Sequence, residues 1–243
     1  MKFRYLAVTA SLFTASSFVA AKDLNQIQTL NQGQFRLLSE DLGAALSYKP
    51  LIPTEPLGTT GFDLGLAVTN TRLKNGGVFE QATSGSGVST VQNSLPVPSL
   101  RLNKGLPLDI DFGLMLSAVP GSNIRLWGGE LRYALVAGGV AAPAIGIRGS
   151  YTKLSGVDQL DLDTKGVDLS VSKGFLMFTP YAGIGKVWTS SAPNGIATLS
   201  KESFSMNKVF AGVNLNFGLV NLVFEADSTG DARTFGGKIG FRF

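Results

Sequence analysis

Apolar and polar residues alternate along most of the chain downstream of Gly61. In residues 62–69, one set of alternate positions holds Phe, Leu, Leu and Val, and the other holds Asp, Gly, Ala and Thr. Successive side chains of a β-strand point to opposite faces, so a period of two predicts strands with one apolar and one polar face. Such strands are typical of a barrel whose outer face meets lipid and whose lumen is polar.

The alternation recurs in segments separated by turn residues and predicts about ten strands. They cover residues 62–69, 95–104, 108–117, 124–136, 144–154, 160–172, 176–190, 204–217, 220–228 and 234–243. A soluble β-sandwich would also alternate, but here nearly every strand has Leu, Ile, Val or Phe on one face and charged residues, Asn or Gly on the other. We therefore predict an all-β fold, a closed antiparallel up-and-down transmembrane β-barrel.

The N-terminal part of the chain follows a different period. In residues 32–46, apolar side chains recur every three to four positions, which predicts a short amphipathic helix. Residues 49–56 contain three prolines and predict a linker into the barrel. A barrel of twelve strands, with residues 24–38 as one of the extra strands, is the alternative. Ten strands plus a periplasmic or lumen-plugging helix fit the helical spacing better.

The last strand carries the most specific motif of the chain. Phe235, Ile239, Phe241 and Phe243 place apolar residues at alternate positions up to a terminal aromatic residue. This pattern resembles the assembly signal of Gram-negative outer-membrane β-barrel proteins, although Lys238 stands where that family would have a glycine. The resemblance implies location in the bacterial cell outer membrane, insertion by the barrel-assembly machinery, and contact with outer-membrane lipid and lipopolysaccharide.

The connections between the predicted strands alternate in length. Tight turns such as 103–105 and 217–218 alternate with longer segments such as 74–94 and 190–201. Bacterial barrels have short periplasmic turns and longer outer loops. Counting back from a periplasmic C-terminus places the 74–94 loop outside, and an even number of strands then places both chain ends in the periplasm.

The first 21 residues have the layout of a secretory signal peptide. A basic start at Lys2 and Arg4 precedes an apolar stretch at 5–18 and a small-residue site at 19–21, with cleavage expected after Ala21. The predicted organisation is a signal peptide at 1–21, an N-terminal helix and Pro-rich linker at 22–60, and the transmembrane β-barrel at 61–243.

Composition removes several classes of function. The chain has 243 residues with no Cys, so neither disulfides nor a lipid anchor on an N-terminal Cys can be present. The formal net charge of +4 includes Lys2 and Arg4 of the signal, and no run of basic residues indicates nucleic-acid binding. Past the N-terminus, no window approaches the roughly 20 apolar residues of a transmembrane helix.

The chain has no His. The outer-membrane barrel enzymes that we compare it with are omptin-type proteases, phospholipase A, lipid A deacylase and lipid A palmitoyltransferase, and all of them rest on a His. Because His is the usual general base near neutral pH, we predict that the chain is not an enzyme. No residue pattern indicates a cofactor or a metal site.

Charged residues on the polar faces are the candidate functional positions. They are Arg101, Asp109, Asp111, Arg132, Arg148, Glu225, Asp227, Lys238 and Arg242. Asp109 and Asp111 share one strand face, and we expect them to pair with lumen arginines. Glu225 and Asp227 are expected to complement Lys238 and Arg242 on the next strand. Charges inside narrow barrels pair in this way because the interior is polar but poorly solvated.

Two functions agree with these features. The first is a small pore or transporter for small solutes, with the N-terminal segment as a plug. The alternative is a non-conducting structural or surface-interaction barrel that presents the loops 74–94 and 190–201. A continuous gap in the lumen would favour the first function, and a dense network of charges across every layer would favour the second.

Overall fold

The computed structural model describes residues 22–83 and 93–243, so the predicted signal peptide and residues 84–92 lie outside the described residues. Within these described ranges, a 3-10 turn (Ile27–Thr29), two α-helices and ten strands form the fold. The helices are α1 (Gln32–Leu46) and α2 (Gly76–Ala82). The strands are β1 (Phe62–Arg72), β2 (Ser94–Leu106), β3 (Ile110–Ala118), β4 (Arg125–Val136), β5 (Ala144–Ser155), β6 (Leu160–Ser172), β7 (Phe178–Pro193), β8 (Glu202–Phe217), β9 (Val220–Thr229) and β10 (Ala232–Arg242).

The ten strands close into one antiparallel barrel in which each strand pairs with its neighbours in sequence and β1 pairs with β10. The closing pair runs from Asp63 opposite Arg242 to Arg72 opposite Arg233. The predicted fold is confirmed with ten strands. The twelve-stranded alternative is wrong, since residues 24–38 contain a short 3-10 turn and the first part of α1.

The barrel is apolar outside and polar inside. Along β1, exposed and buried residues alternate without a break, with Leu66 64% exposed and the following Ala67 buried. The outward positions of the other strands carry a belt of exposed Leu, Ile, Val, Phe and Trp side chains. This surface is the one that a transmembrane barrel presents to lipid. Among the described residues, no helix is both long and apolar enough to span a bilayer.

The two ends of the barrel differ. One end, which we call the turn end, carries the connections 107–109, 137–143, 173–177 and 218–219 and the C-terminal Phe243. The other, the loop end, carries the connections 119–124, 156–159, 194–201 and 230–231, together with residues 73–83 and 93 between β1 and β2. Since bacterial barrels keep their short turns in the periplasm, we expect the loop end to face the cell exterior.

The turn between β2 and β3 corrects one predicted boundary. Leu108 and Asp109 have φ angles of 66° and 56°, which belong to the left-handed region and break the strand. The expected strand 108–117 therefore begins only at Ile110. The apolar character of Leu108 continued the alternation in the sequence, but its side chain is 81% exposed on a tight turn.

The N-terminal segment 22–60, which we call the plug segment, runs through the barrel. Helix α1 contacts strands on several sides of the barrel, including β1, β2, β6, β7 and β8. It begins with a capping box between Asn31 and Gln34 and buries Phe35 and Leu42 on its apolar face. The predicted helix thus lies in the lumen as a plug.

The direction of the plug segment was not expected. The Leu24 N–H donates to the side chain of Asn123, and the Ile27 N–H to that of Gln159, both in connections of the loop end. The segment then descends to the turn end, where β1 begins at Phe62. The prediction that both chain ends lie in the periplasm is therefore wrong for the described chain, because residue 22 and Phe243 lie at opposite ends.

A hydrophobic cluster closes the loop end above α1. It joins the start of the plug segment to the connections of the barrel through Leu24, Ile27, Phe79, Ile124 and Val157. Phe79 belongs to α2, so residues 76–82 of the predicted long outer loop form a helix that packs against the 3-10 turn at Ile27–Thr29. The loop end is thus covered by folded chain.

Candidate functional site

The lumen and the plug segment form the candidate site, and their contact begins with the backbone of the Pro-rich linker. Three cations of the barrel wall donate to its carbonyl oxygens. Lys208 Nζ lies 2.6 Å from the oxygen of Tyr48, Arg101 Nη1 lies 2.6 Å from that of Lys49, and Arg132 Nη1 lies 2.6 Å from that of Pro53. These are charge-assisted bonds, which are stronger than bonds between neutral groups.

Two carboxylates of the wall accept bonds from the linker backbone. The Leu51 N–H donates to Glu225 Oε2 at 2.9 Å, and the Leu57 N–H donates to Asp111 Oδ1 at 3.1 Å. A linker without regular secondary structure would otherwise bury unpaired backbone groups in the lumen. Five charged side chains of the wall therefore form hydrogen bonds with backbone groups of the plug segment. These bonds do not involve the side chains of the plug segment.

Seven wall charges and Lys49 of the plug segment contact each other in a chain of alternating sign across several strands. We call this set the charge chain, in the order Lys49, Asp227, Lys208, Asp168, Arg148, Glu130, Arg132 and Asp111. All eight residues are buried. Each charge thus has an opposite charge on at least one side, which offsets the cost of removing it from water.

The contacts within the charge chain differ in length. The terminal pairs are close, at 2.7 Å between Lys49 and Asp227 and 2.6 Å between Arg132 and Asp111. Glu130 lies 3.7 Å from Arg132 and 3.6 Å from Arg148, which is beyond hydrogen-bonding distance. Arg148 Nε donates to Asp168 Oδ2 at 2.9 Å, so within the middle of the charge chain it is Glu130 that interacts through proximity of charge rather than through direct bonds.

A second cluster lies nearer the turn end. Lys238 Nζ lies 2.6 Å from Asp63 Oδ1, and the other oxygen of Asp63 accepts from Asn221 at 2.9 Å. This corrects the expectation that Lys238 complements Glu225 and Asp227. Closure of the barrel brings β1 beside β10, so Asp63 is nearer, and the two acids of β9 turn to Tyr181 and Lys49 instead.

The predicted lumen charges occupy three kinds of place. Those buried inside the barrel are Arg101, Asp111, Arg132, Arg148, Glu225, Asp227 and Lys238. Arg242 is half-buried near the turn end. Asp109 is exposed in the turn before β3 and does not neighbour Asp111 in the lumen, because its positive φ ends the alternation there.

Several lumen residues were absent from the predicted set. Asp63, Glu130, Asp168 and Lys208 all occupy inward positions of their strands, so the alternation itself carried the signal. The sequence contains no such signal for Lys49. This residue lies in the linker, where no periodic pattern shows which way a side chain points.

Helix α1 is attached to the loop end by its own polar groups. Asp41 accepts from the backbone N–H groups of Lys74 at 3.1 Å and Asn75 at 2.7 Å. Burial raises the pKa of the Asp41 carboxyl, although these two donors oppose the change. Ser39 Oγ donates to Ser191 Oγ at 2.8 Å, which joins the helix to β7.

The approach of α1 to the wall is close. A Cβ atom placed on Gly43 would lie 2.7 Å from Thr189 Oγ1 and 3.2 Å from Thr189 Cβ. Only a residue without a side chain fits there unless the helix moves. The helix therefore occupies its part of the lumen with direct contact to β7.

The chain is similar in architecture to several solved outer-membrane barrels. No protein-family model and no curated protein matches the chain. The N-terminal β-barrel domain of Pseudomonas aeruginosa OprF matches at 12% identity and a TM-score of 0.39, over 74% of this chain and 97% of that one. The outer membrane protein OprG of Pseudomonas aeruginosa matches at 9% identity and a TM-score of 0.36, over 79% and 99%.

LpxR from Salmonella typhimurium matches at 10% identity and a TM-score of 0.38, over 74% of this chain and 100% of that one. A closed antiparallel barrel of ten strands with an apolar exterior and a polar lumen is the architecture of a bacterial outer-membrane protein.

Proposed function

We propose that this outer-membrane barrel is closed and non-conducting, and that it acts through the surface at its loop end. The observation that carries the proposal is the plug segment, which crosses the lumen from the loop end to the turn end and is bonded to five charged side chains of the wall. A lumen occupied in this way serves as a core that holds the barrel and its loops in place.

Electrostatics favour the occupied lumen. If the plug segment left, Lys49 would leave Asp227, and the wall cations Arg101 and Arg132 would lose the carbonyl oxygens that they bind. Breaking one buried ion pair costs about 3–5 kcal/mol when the partner stays buried. Water entering the emptied lumen would offset part of this cost, but the occupied state retains every contact.

The loop end has the features of an interaction surface. The hydrophobic cluster around Ile27 and Phe79 packs α2 and the connections of the barrel against the plug segment, so the described part of the outer surface rests on a folded base. The connection 194–201 extends from the longest strands, β7 and β8, beyond the belt of apolar side chains. The proposed role is non-enzymatic, which agrees with the absence of His from the sequence.

A gated pore is the second candidate. It is favoured by one observation: the plug segment continues into the wall only at Phe62, and all its other attachments are non-covalent. The segment can therefore leave the lumen without the loss of any strand. Passage of a small solute would require such a displacement.

Conductance in planar bilayers tests both candidates. We would compare the chain 22–243, a chain that begins at residue 57, and a double variant Gly43→Cys, Thr189→Cys whose disulfide holds α1 against β7. The Cβ positions of these two residues are about 3.2 Å apart, a little below the usual separation in a disulfide, so α1 must shift slightly from β7 to accommodate the two side chains; the chain has no other Cys.

The proposal expects silence from the chain 22–243 and from the double variant, whether oxidised or reduced, and steady current from the shortened chain. Openings of the chain 22–243 that disappear on oxidation of the double variant and return on reduction would support the gated pore instead. A folded shortened chain that remains silent would show that the plug segment is not what closes the barrel.

A further inference from the structure

Three lysines point outward on three adjacent strands in the loop half of the barrel. Lys153 lies on β5, Lys165 on β6 and Lys186 on β7, and all three are exposed. The strand register places Lys165 between Tyr151 and Trp188. We call these three residues the exterior lysine patch.

The exterior lysine patch differs from the cations of the lumen. Within the described part of the chain, none of its three side chains makes an ion pair or a hydrogen bond. One acid is near, since Asp163 lies opposite Lys153 in the register, but the two side chains are not in salt-bridge contact. Positive charge is therefore concentrated, without a partner, at the upper edge of the apolar belt.

A cleft of about 410 Å³ opens beside the patch on the outer surface of β6, β7 and β8. Its lining includes Asp163, Lys165, Trp188, Ser190, Ser203 and Ser205, so one carboxylate borders the cleft beside the lysine. Serine hydroxyls both donate and accept hydrogen bonds, and the face of a tryptophan ring packs well against a sugar. A lysine at the edge of such a cleft suits a phosphate group carried by that sugar.

The wall below the patch is apolar. Val167 and Leu169 follow Lys165 on β6, and Ile184 lies below Lys186 on β7, all of them outward and exposed. On β5, a Cβ atom added to Gly149 would have no neighbour within 4 Å, so the wall is recessed there. An acyl chain can lie along this surface while its headgroup meets the lysines.

From this arrangement we infer that the exterior lysine patch and the cleft at Trp188 bind a phosphorylated glycolipid of the outer leaflet. The headgroup phosphates lie on Lys153, Lys165 and Lys186, the sugar lies on Trp188, and the acyl chains follow the apolar wall. The loop end faces outward, so the patch lies at the depth of the outer headgroups. This inference does not depend on whether the barrel conducts.

Binding can be measured with the refolded chain 22–243 in neutral-detergent micelles, using a bisphosphorylated diglucosamine lipid of the lipopolysaccharide type as the probe. Native mass spectrometry or fluorescence titration would give its affinity. The variant Lys153→Gln, Lys165→Gln, Lys186→Gln should bind about a hundredfold more weakly, because each lysine near an anionic headgroup contributes about a factor of five. Higher salt should weaken binding of the unaltered chain.

Matched variants and probes make the result specific. Lys153→Arg, Lys165→Arg, Lys186→Arg keeps the charge and should keep the affinity, and Lys201→Gln, an exposed lysine of the 194–201 connection, should change little. The dephosphorylated lipid should bind as weakly as the triple Gln variant does. Competition by inorganic phosphate at low concentration would point to a site for free phosphate.

Two results would overturn the inference. One is equal affinity of the triple Gln variant and the unaltered chain, with the folded state checked by heat-dependent migration on gels. The other is a loss of binding only in Arg72→Gln, Arg233→Gln, the pair of exposed cations on β1 and β10, which would place the lipid on the opposite wall.

Discussion

The ion pair between Lys49 and Asp227 shows how a single residue fixes the plug segment in the lumen. Its N–O distance is 2.7 Å, both side chains are at most 2% exposed, and Lys49 Nζ also donates to the Ala44 carbonyl oxygen at 2.9 Å. Lys208, at 3.8 Å, is the only other cation in salt-bridge range of Asp227 among the described residues. The pair is thus the main neutralising contact of that acid.

We predict that Lys49→Met destabilises the folded barrel by about 3 kcal/mol, the lower end of the range for a broken buried pair, because Lys208 still faces Asp227. Urea unfolding of protein refolded into lipid vesicles, followed by tryptophan fluorescence, would measure the change. Lys201→Met is the control, since Lys201 is exposed, and its midpoint should match that of the unaltered chain. A Lys49→Met midpoint equal to the control would contradict the role of the pair.

Asp109 and Asp111 offer a second comparison between two residues of the same kind. Asp111 Oδ2 accepts from Arg132 at 2.6 Å, and Asp111 also holds the Leu57 N–H. We predict that Asp111→Ala costs about 2–4 kcal/mol, since the buried guanidinium of Arg132 loses its close carboxylate and the part-buried Leu57 N–H loses its acceptor. Asp109→Gly should be neutral or slightly stabilising, because glycine adopts the positive φ of that turn without strain.

The same unfolding assay separates these two outcomes. If Asp109 carried the function that its sequence position indicated, its replacement should cost as much as that of Asp111. A larger loss for Asp109→Gly than for Asp111→Ala would show that the turn, rather than the lumen, depends on the acid.

At the scale of elements, the strands were predictable and the plug segment only in part. Alternation identifies each strand because one face meets lipid and the other meets the lumen along its whole length. It fails at Leu108, where an apolar residue continues the pattern into a turn whose backbone conformation no side-chain pattern reveals. Strands β7 and β8 likewise extend beyond the predicted ends, where both faces are polar or small.

The sequence predicts helix α1 but not the residues that it packs against. Its period of three to four residues predicts a helix with an apolar face, which the structure has. The period does not say what that face packs against, because the hydrophobic cluster at the loop end draws residues from α2 and three connections of the barrel. That information depends on closure of the barrel, which is set by pairing between the first and last strands.

Two glycines of α1 test its packing against the wall. Gly43 faces Thr189, and an added Cβ would lie 2.7 Å from its hydroxyl oxygen, whereas a Cβ on Gly33 would meet only the Asn31 side chain, at 3.4 Å. We predict that Gly43→Ala destabilises the barrel by about 1–3 kcal/mol through overpacking. Gly33→Ala should be neutral or stabilising by up to about 1 kcal/mol, since alanine is the better helix former.

The contrast between these variants can be read from unfolding midpoints in the same vesicles. In addition, the Gly43→Ala chain should exchange the backbone amide hydrogens of α1 faster than the unaltered chain does. Equal stability of the two variants would mean that α1 moves freely against β7, which would weaken the case for a fixed plug.

At the scale of the whole molecule, the plug segment reverses the expected position of the N-terminus. An even number of strands places the start of β1 and the end of β10 at the same end of the barrel, as expected. The plug segment, which precedes β1 in the chain, runs the length of the lumen. The chain therefore crosses from one end of the barrel to the other once more than its number of strands. The parity argument was correct for the strands but did not include a segment that passes inside them.

This passage leads to a prediction about display at the cell surface. If cleavage follows Ala21, the new amino terminus lies beside Asn123 and α2 at the loop end. A short epitope tag placed between residues 21 and 22 should therefore bind antibody on intact cells.

The control is the same tag inserted between Val140 and Ala141 in a turn-end connection, where Val140 is fully exposed. This tag should bind antibody only after the outer membrane is permeabilised. Labelling of the second tag but not the first on intact cells would reverse the orientation of the barrel. Protection of both tags until permeabilisation would instead mean that the plug segment enters the lumen from the periplasm after the strands have closed, and that its start remains below the surface.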